Sequence, residues 1–71
     1  MNEYIISNAL LKNINIDIIY MSDKGITERS IKPIKLDGDI LEAYCYLKKS
    51  VRRFRVENIL GASYTKAKRA G

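Results

Sequence analysis

The chain has no histidine, no tryptophan, one cysteine, one proline and four glycines in 71 residues. Each shortage removes a class of function. Without histidine there is no imidazole to work as a general base near neutral pH, which excludes hydrolases built on a Ser–His or Cys–His pair and the usual zinc sites. The lone Cys45 has no internal partner, so a secreted mini-protein held by disulfides is excluded. The glycines, Gly25, Gly38, Gly61 and Gly71, are scattered and form no phosphate-cradling loop. Long apolar runs are missing too: Ile18–Met21 and Ala43–Leu47 fall far below the roughly 20 residues of a membrane span. Met1-Asn2-Glu3 lacks the positive start of a signal peptide. A cytoplasmic protein is expected.

What is present is 46% apolar residues and a surplus of base, 13 Lys and Arg against 8 Asp and Glu, for a net charge of +5. A chain this short forms one domain and must bury most of its apolar content. That domain is expected over residues 1–65, followed by a basic disordered tail over residues 66–71. The charge is polarised. Up to Leu47 there are five bases and seven acids, a net charge of −2. From Lys48 onward there are eight bases against Glu57 alone, a net charge of +7. Positive potential gathered in one region attracts phosphates.

The hydrophobic period changes along the chain. From Asn2 to Lys12, Ile6, Ala9 and Leu10 fall at helical spacing, with Tyr4 and Leu11 flanking them. Asn2 suits the helix cap and Glu3 its positive end. Eleven residues are too few for a stable isolated helix, so it must dock. Then Ile14, Ile16, Ile18 and Tyr20 alternate with their neighbours as a half-buried strand does. Turns are expected at Ser22–Gly25, Asp37–Asp39 and Lys48–Ser50. The strands between them run over residues 26–36, 40–47 and 51–56, with Pro33 at an edge or bulge. Leu41, Ala43, Cys45 and Leu47 face one way in the third strand. In the fourth, Arg52, Phe54 and Val56 share one face and Arg53 and Arg55 the other. Glu57-Asn58 reads as a one-turn 3₁₀ connector and Ile59–Tyr64 as a fifth strand. The layout is mainly β: a small five-stranded antiparallel SH3/Sm-like barrel with a short N-terminal α-helix. An open sheet under the helix is the structural alternative.

The densest chemistry is Lys48-Lys49-Ser50-Val51-Arg52-Arg53-Phe54-Arg55. Arg53 and Arg55 stand about 7 Å apart along one strand face. The planar guanidinium donates two hydrogen bonds at once, which suits phosphate. Tyr44 and Tyr46 also share a face, and rings beside guanidinium groups stack bases while the charges hold the backbone. The bland reading of these tyrosines is core or interface cover. Asp37-Gly38-Asp39 lacks calcium-loop spacing and reads as a turn. Cys45, between tyrosines in mid-strand, reads as a small buried hydrophobe, and Ser50 and Ser63 have no base partner. No catalytic residue and no metal ligand set emerges.

Ile18-Ile19-Tyr20 with the Lys24-Gly25 turn, Thr27 to Pro33, Ala43 to Lys48 and Arg52 to Ile59 together resemble the WYL domain, an SH3/Sm-like barrel of bacterial transcription regulators. Where that family has Trp-Tyr-Leu, this chain reads Asp39-Ile40-Leu41, and Glu57-Asn58 stands in place of Asp-Arg. The resemblance implies a divergent, minimal member, and it implies that Tyr20, Arg29, Arg52 and Arg55 line a pocket for anionic ligands. Arg53 falls at a variable position and rests on charge alone. The order of a short helix and an Ile-rich strand is also similar to the bacterial Sm-like RNA chaperone, in architecture only.

Sequence therefore points to a non-enzymatic regulatory module, of bacterial or phage type, that holds an anionic ligand, nucleic acid or nucleotide. The candidate binding residues are Tyr20, Arg29, Tyr44, Tyr46, Arg52, Arg53 and Arg55. No cofactor is expected. The rival readings are a protein-interaction module that forms a homo-oligomer, a dimer first of all, or docks on a larger regulator, and an Sm-like RNA-binding ring.

Overall fold

A computed structural model of the chain describes residues 2–65. The basic tail expected over residues 66–71 lies outside the described residues. Helix α1 spans Asn2–Lys12, followed by β1 (Ile16–Ser22), β2 (Gly25–Asp37), β3 (Ile40–Cys45), β4 (Ser50–Arg55), a 3₁₀ turn over Val56–Asn58 and β5 (Ile59–Tyr64). The five strands form one antiparallel sheet in the order β4-β3-β2-β1-β5.

α1 buries Ile6 and Ala9 and half-buries Ile5 and Leu10, the stripe its spacing predicts. Tyr4 and Leu11 stay outside it, 71% and 83% exposed. Asn2 does not cap the helix with its side chain; its Nδ2 donates to the Ile59 carbonyl at 3.1 Å and ties α1 to β5. At the other end Asn13 turns into the left-handed region (φ 59°), and the Ile14 N–H closes back on the Ala9 carbonyl at 3.1 Å. That six-to-one bond after a left-handed Asn is a Schellman ending. It directs the chain into β1 at Ile16, two residues later than the alternation alone implies.

The connections are tight. β1 and β2 are joined through Asp23-Lys24, with Gly25 at φ 115°, and β2 and β3 through Gly38-Asp39, with Gly38 at φ 63°. β3 stops at Cys45 rather than Leu47. The Lys49 N–H turns back to the Cys45 carbonyl at 2.7 Å with Lys49 at φ 57°, so Tyr46 and Leu47 belong to the turn. Pro33, which has no N–H to give, sits where the β2–β3 register slips between Pro33 and Lys35.

Ile16, Ile18, Ile31, Leu41, Ala43, Cys45, Phe54 and Ile59 join Ile6 and Ala9 in a core that holds no buried polar residue among those described. The sheet curls strongly. β1 and β4 are three strand spacings apart, about 14 Å in a flat sheet. Yet the rings of Tyr20 and Phe54 meet edge to face with centroids 5.0 Å apart, and the Tyr20 hydroxyl accepts the Arg55 N–H at 3.1 Å. The 3₁₀ turn carries the chain from β4 across to β5, and the Val56 N–H is held by the Asp39 carbonyl at 2.9 Å. The barrel is thus drawn together by side chains and a turn. Among the described residues no ladder joins β4 to β5, and both remain terminal strands.

Candidate anion-binding cavity

In an antiparallel meander the first and third connections come to the same end. Here they do so unevenly. Ile31 is level with Cys45, so β2 from Gly25 to Ser30 runs past the end of β3 and, with β1, overhangs the β3–β4 turn. Below the overhang is a cavity of about 310 Å³. Its apolar side is Tyr20 and Phe54, the pair that closes the barrel. Lys24 from the first turn, Lys48 from the third, Arg29 from β2, and Arg52 and Arg53 from β4 supply five cations, with Ser22 and Asp23 beside them.

Each cation is there for a local reason. Arg29 lies on the same face of β2 as buried Ile31, level with Ile18 of β1, but past the end of β3 no strand residue stands opposite it on that side, and it is half-buried. Its Nε donates to Thr27 Oγ1 at 3.2 Å and its Nη1 to Cys45 Sγ at 3.8 Å. A guanidinium has five N–H groups, so three remain for a ligand. Arg52 shares the inner face of β4 with Phe54, opposite the small Ala43. Arg53 stands on the outer face opposite Glu42, and because β4 is terminal its long side chain also reaches the cavity wall. Five positive groups around one acid, over a floor of two aromatic rings, suit an anion that carries a flat apolar group.

The structure thus brings Tyr20, Arg29, Arg52 and Arg53 to one cavity. Arg55 does not line it: its guanidinium lies 3.7 Å from the Glu57 carboxylate, both well exposed, while its backbone N–H braces the Tyr20 hydroxyl. Tyr44 and Tyr46 are elsewhere. Their rings meet edge to face with centroids 4.9 Å apart, Tyr44 is level with Lys32 and Val51, and the Tyr46 hydroxyl donates to Asn15 Oδ1 at 3.1 Å. Lys24 and Lys48 also enter the cavity, although neither is among the candidate binding residues read from the sequence. The signal for them was the parity of the two turns, which places both lysines at one end of the meander. Cys45 is fully buried, and among the described residues no cluster of acids or cysteine is grouped to hold a metal ion. Among the described residues no helix is long and apolar enough to cross a membrane.

No protein-family model matches the chain, and no curated protein matches it in sequence. A solved structure does: Proteasome accessory factor B/C (PafBC) of Arthrobacter aurescens, with a TM-score of 0.82 and 27% identity over 97% of this chain. The chain spans 12% of that protein's length. The likeness supports a WYL-like fold relation for this small, helix-bearing barrel.

Proposed function

We propose that the chain is a non-enzymatic regulatory module that holds an anionic ligand, a nucleotide or a short stretch of single-stranded nucleic acid, in the cavity between the β1–β2 overhang and β4. The observation that carries this reading is the convergence of Lys24, Arg29, Lys48, Arg52 and Arg53 on one cavity floored by Tyr20 and Phe54. The guanidinium groups take phosphate oxygens in forked pairs, and the exposed part of the Tyr20 ring offers a face on which a base can stack. Arg29 is the best organised of them, since Thr27 and Cys45 fix its plane before any ligand arrives. The likeness to a segment of PafBC, a WYL-domain-containing regulator, supports the regulatory part of the reading, with transcription as the process regulated.

The test is a titration of fluorescent single-stranded DNA and RNA, with nucleotides as competitors, at low and at moderate salt. Binding at low salt that Arg29→Ala plus Arg52→Ala reduces by at least tenfold supports the reading. Failure of every ligand to bind at low salt, or binding indifferent to that pair, overturns it.

A further inference from the structure

The cavity under the β1–β2 overhang has two chemically different sides. Arg52 and Arg53 come from β4, whereas Tyr20, Ser22 and Asp23 come from β1 and the turn that follows it. Tyr20 and Ser22 share one face of β1, so the aromatic floor leads toward that turn. Asp23 is the one acid among the lining residues, against five cations.

An acid serves no purpose in a cavity that holds phosphate alone, because its charge opposes every anion that enters. Asp23 is not needed to make the turn either. Ser22 and Gly25 form the last pair of the hairpin, and the Ser22 hydroxyl accepts the Lys24 N–H at 3.3 Å and donates to the Gly25 carbonyl at 3.5 Å. Serine thus makes the local bond that an aspartate in a turn commonly makes. Nor do the neighbouring cations take up the carboxylate. Among the described residues no hydrogen bond ends on it, and the one ion pair joins Arg55 to Glu57. An ionised carboxylate only accepts, so a ligand that fits here brings N–H or O–H donors to Asp23.

We propose that Asp23 is the specificity-determining residue of the cavity and that it selects guanine. The base lies on Tyr20, the phosphate is held from Arg29 and Arg52, and the carboxylate accepts the ring N1–H and the exocyclic amino group of guanine as a forked pair. This selection rests on the cavity's being the nucleotide or single-strand site proposed above. Guanine fits because, among the common bases, it sets two such donors side by side, matched to the two oxygens of a carboxylate. Adenine and cytosine present one amino group beside a ring acceptor, and uracil and thymine one N–H between two carbonyls; those lone pairs face a carboxylate unfavourably. A free phosphate or polyphosphate has no donor and meets Asp23 as repulsion only. The same acid favours one base and works against bare anions.

Competition against a fluorescent single-stranded oligonucleotide at low salt tests this, with guanosine, inosine and uridine monophosphates and tripolyphosphate as competitors. Inosine lacks only the exocyclic amino group of guanosine. Guanosine monophosphate is expected to compete about fivefold better than inosine monophosphate and about tenfold better than uridine monophosphate, as charge-assisted bonds at an exposed rim allow. Asp23→Asn and Asp23→Ala are each expected to bring the guanosine-to-inosine ratio below about twofold, with tripolyphosphate bound as tightly as before or more tightly. A residue that merely shaped the turn would weaken both. Circular dichroism checks that each variant folds. Equal competition by guanosine and inosine monophosphates, or a preference that both variants keep, overturns the proposal. So does a preference for guanosine over 2′-deoxyguanosine monophosphate that both variants abolish, since it places the carboxylate on the sugar. Those outcomes leave the anion site standing; failure of every nucleotide and of the oligonucleotide to bind overturns that reading and this one together.

Discussion

Thr27 Oγ1 accepts the Nε–H of Arg29 at 3.2 Å, two residues along the same face of β2. Thr27 does not line the cavity, so it sets where Arg29 points without entering the space proposed for the ligand. Thr27→Val keeps the shape and removes the acceptor. A net hydrogen bond contributes about 1 kcal/mol. The expected result is a three- to tenfold loss of affinity for single-stranded oligonucleotide, with Thr27→Ser restoring it, measured by fluorescence anisotropy against an unchanged midpoint of urea unfolding.

The arginines on β4 are expected to separate by position rather than by charge. Arg52→Ala, inside the cavity, should cost about tenfold in affinity and lower the slope of log K against log salt by about one. Arg55→Ala, whose side chain faces Glu57 outside the cavity, should cost less than twofold. Equal losses from the two would mean that net charge, and not the cavity, governs binding.

Tyr20 and Phe54 hold β1 against β4, and the two substitutions there test different forces. Phe54 is 2% exposed, and Phe54→Ala should destabilise the fold by about 3 kcal/mol or more through the cavity it leaves. Tyr20→Phe keeps the ring contact and leaves the exposed Arg55 N–H to water, for a loss of about 1 kcal/mol or less. Urea unfolding at constant m-value reads both.

Lys49 holds φ at 57°, a conformation in which a side chain clashes with its own backbone and glycine does not. Lys49→Gly is expected to stabilise the protein by up to about 1 kcal/mol. Because Lys49 does not line the cavity, oligonucleotide affinity should fall by no more than the loss of one peripheral charge implies.

Much of this architecture is legible in the residues. Ile6, Ala9 and Leu10 mark the docked face of α1, Ile16 and Ile18 the inner face of β1, and Leu41, Ala43 and Cys45 that of β3, because helical and strand periods leave those positions no other side on which to be buried. Element ends were less legible where one hydrogen bond decides them: the left-handed Asn13 delays β1, and the Lys49-to-Cys45 bond ends β3 early. The candidate site was legible in residue type and only partly in place. Arg29 and Arg52 follow from strand faces. Lys24, Lys48 and the reach of Arg53 depend on how far β2 overhangs β3, a register that the turn at Tyr46–Lys49 sets and that no local pattern encodes. Tyr44 and Tyr46 meet as their spacing implies, but alternation along β3 puts Tyr44 on the face opposite buried Ala43 and Cys45, Tyr46 lies in the turn, and neither lines the cavity.

The anion is proposed to sit in one cavity, under the β1–β2 overhang. Two-dimensional ¹H–¹⁵N NMR of the chain during titration with a short single-stranded oligonucleotide tests it most directly, because arginine Nε–H and backbone amides report residue by residue. Shifts are expected to concentrate at Arg29 Nε, Arg52 Nε and the amides of Tyr20, Lys24 and Lys48, with Tyr44, Tyr46 and β5 still. Shifts centred on Tyr44 and Tyr46, spread evenly over all the arginines, or absent at low salt would contradict it.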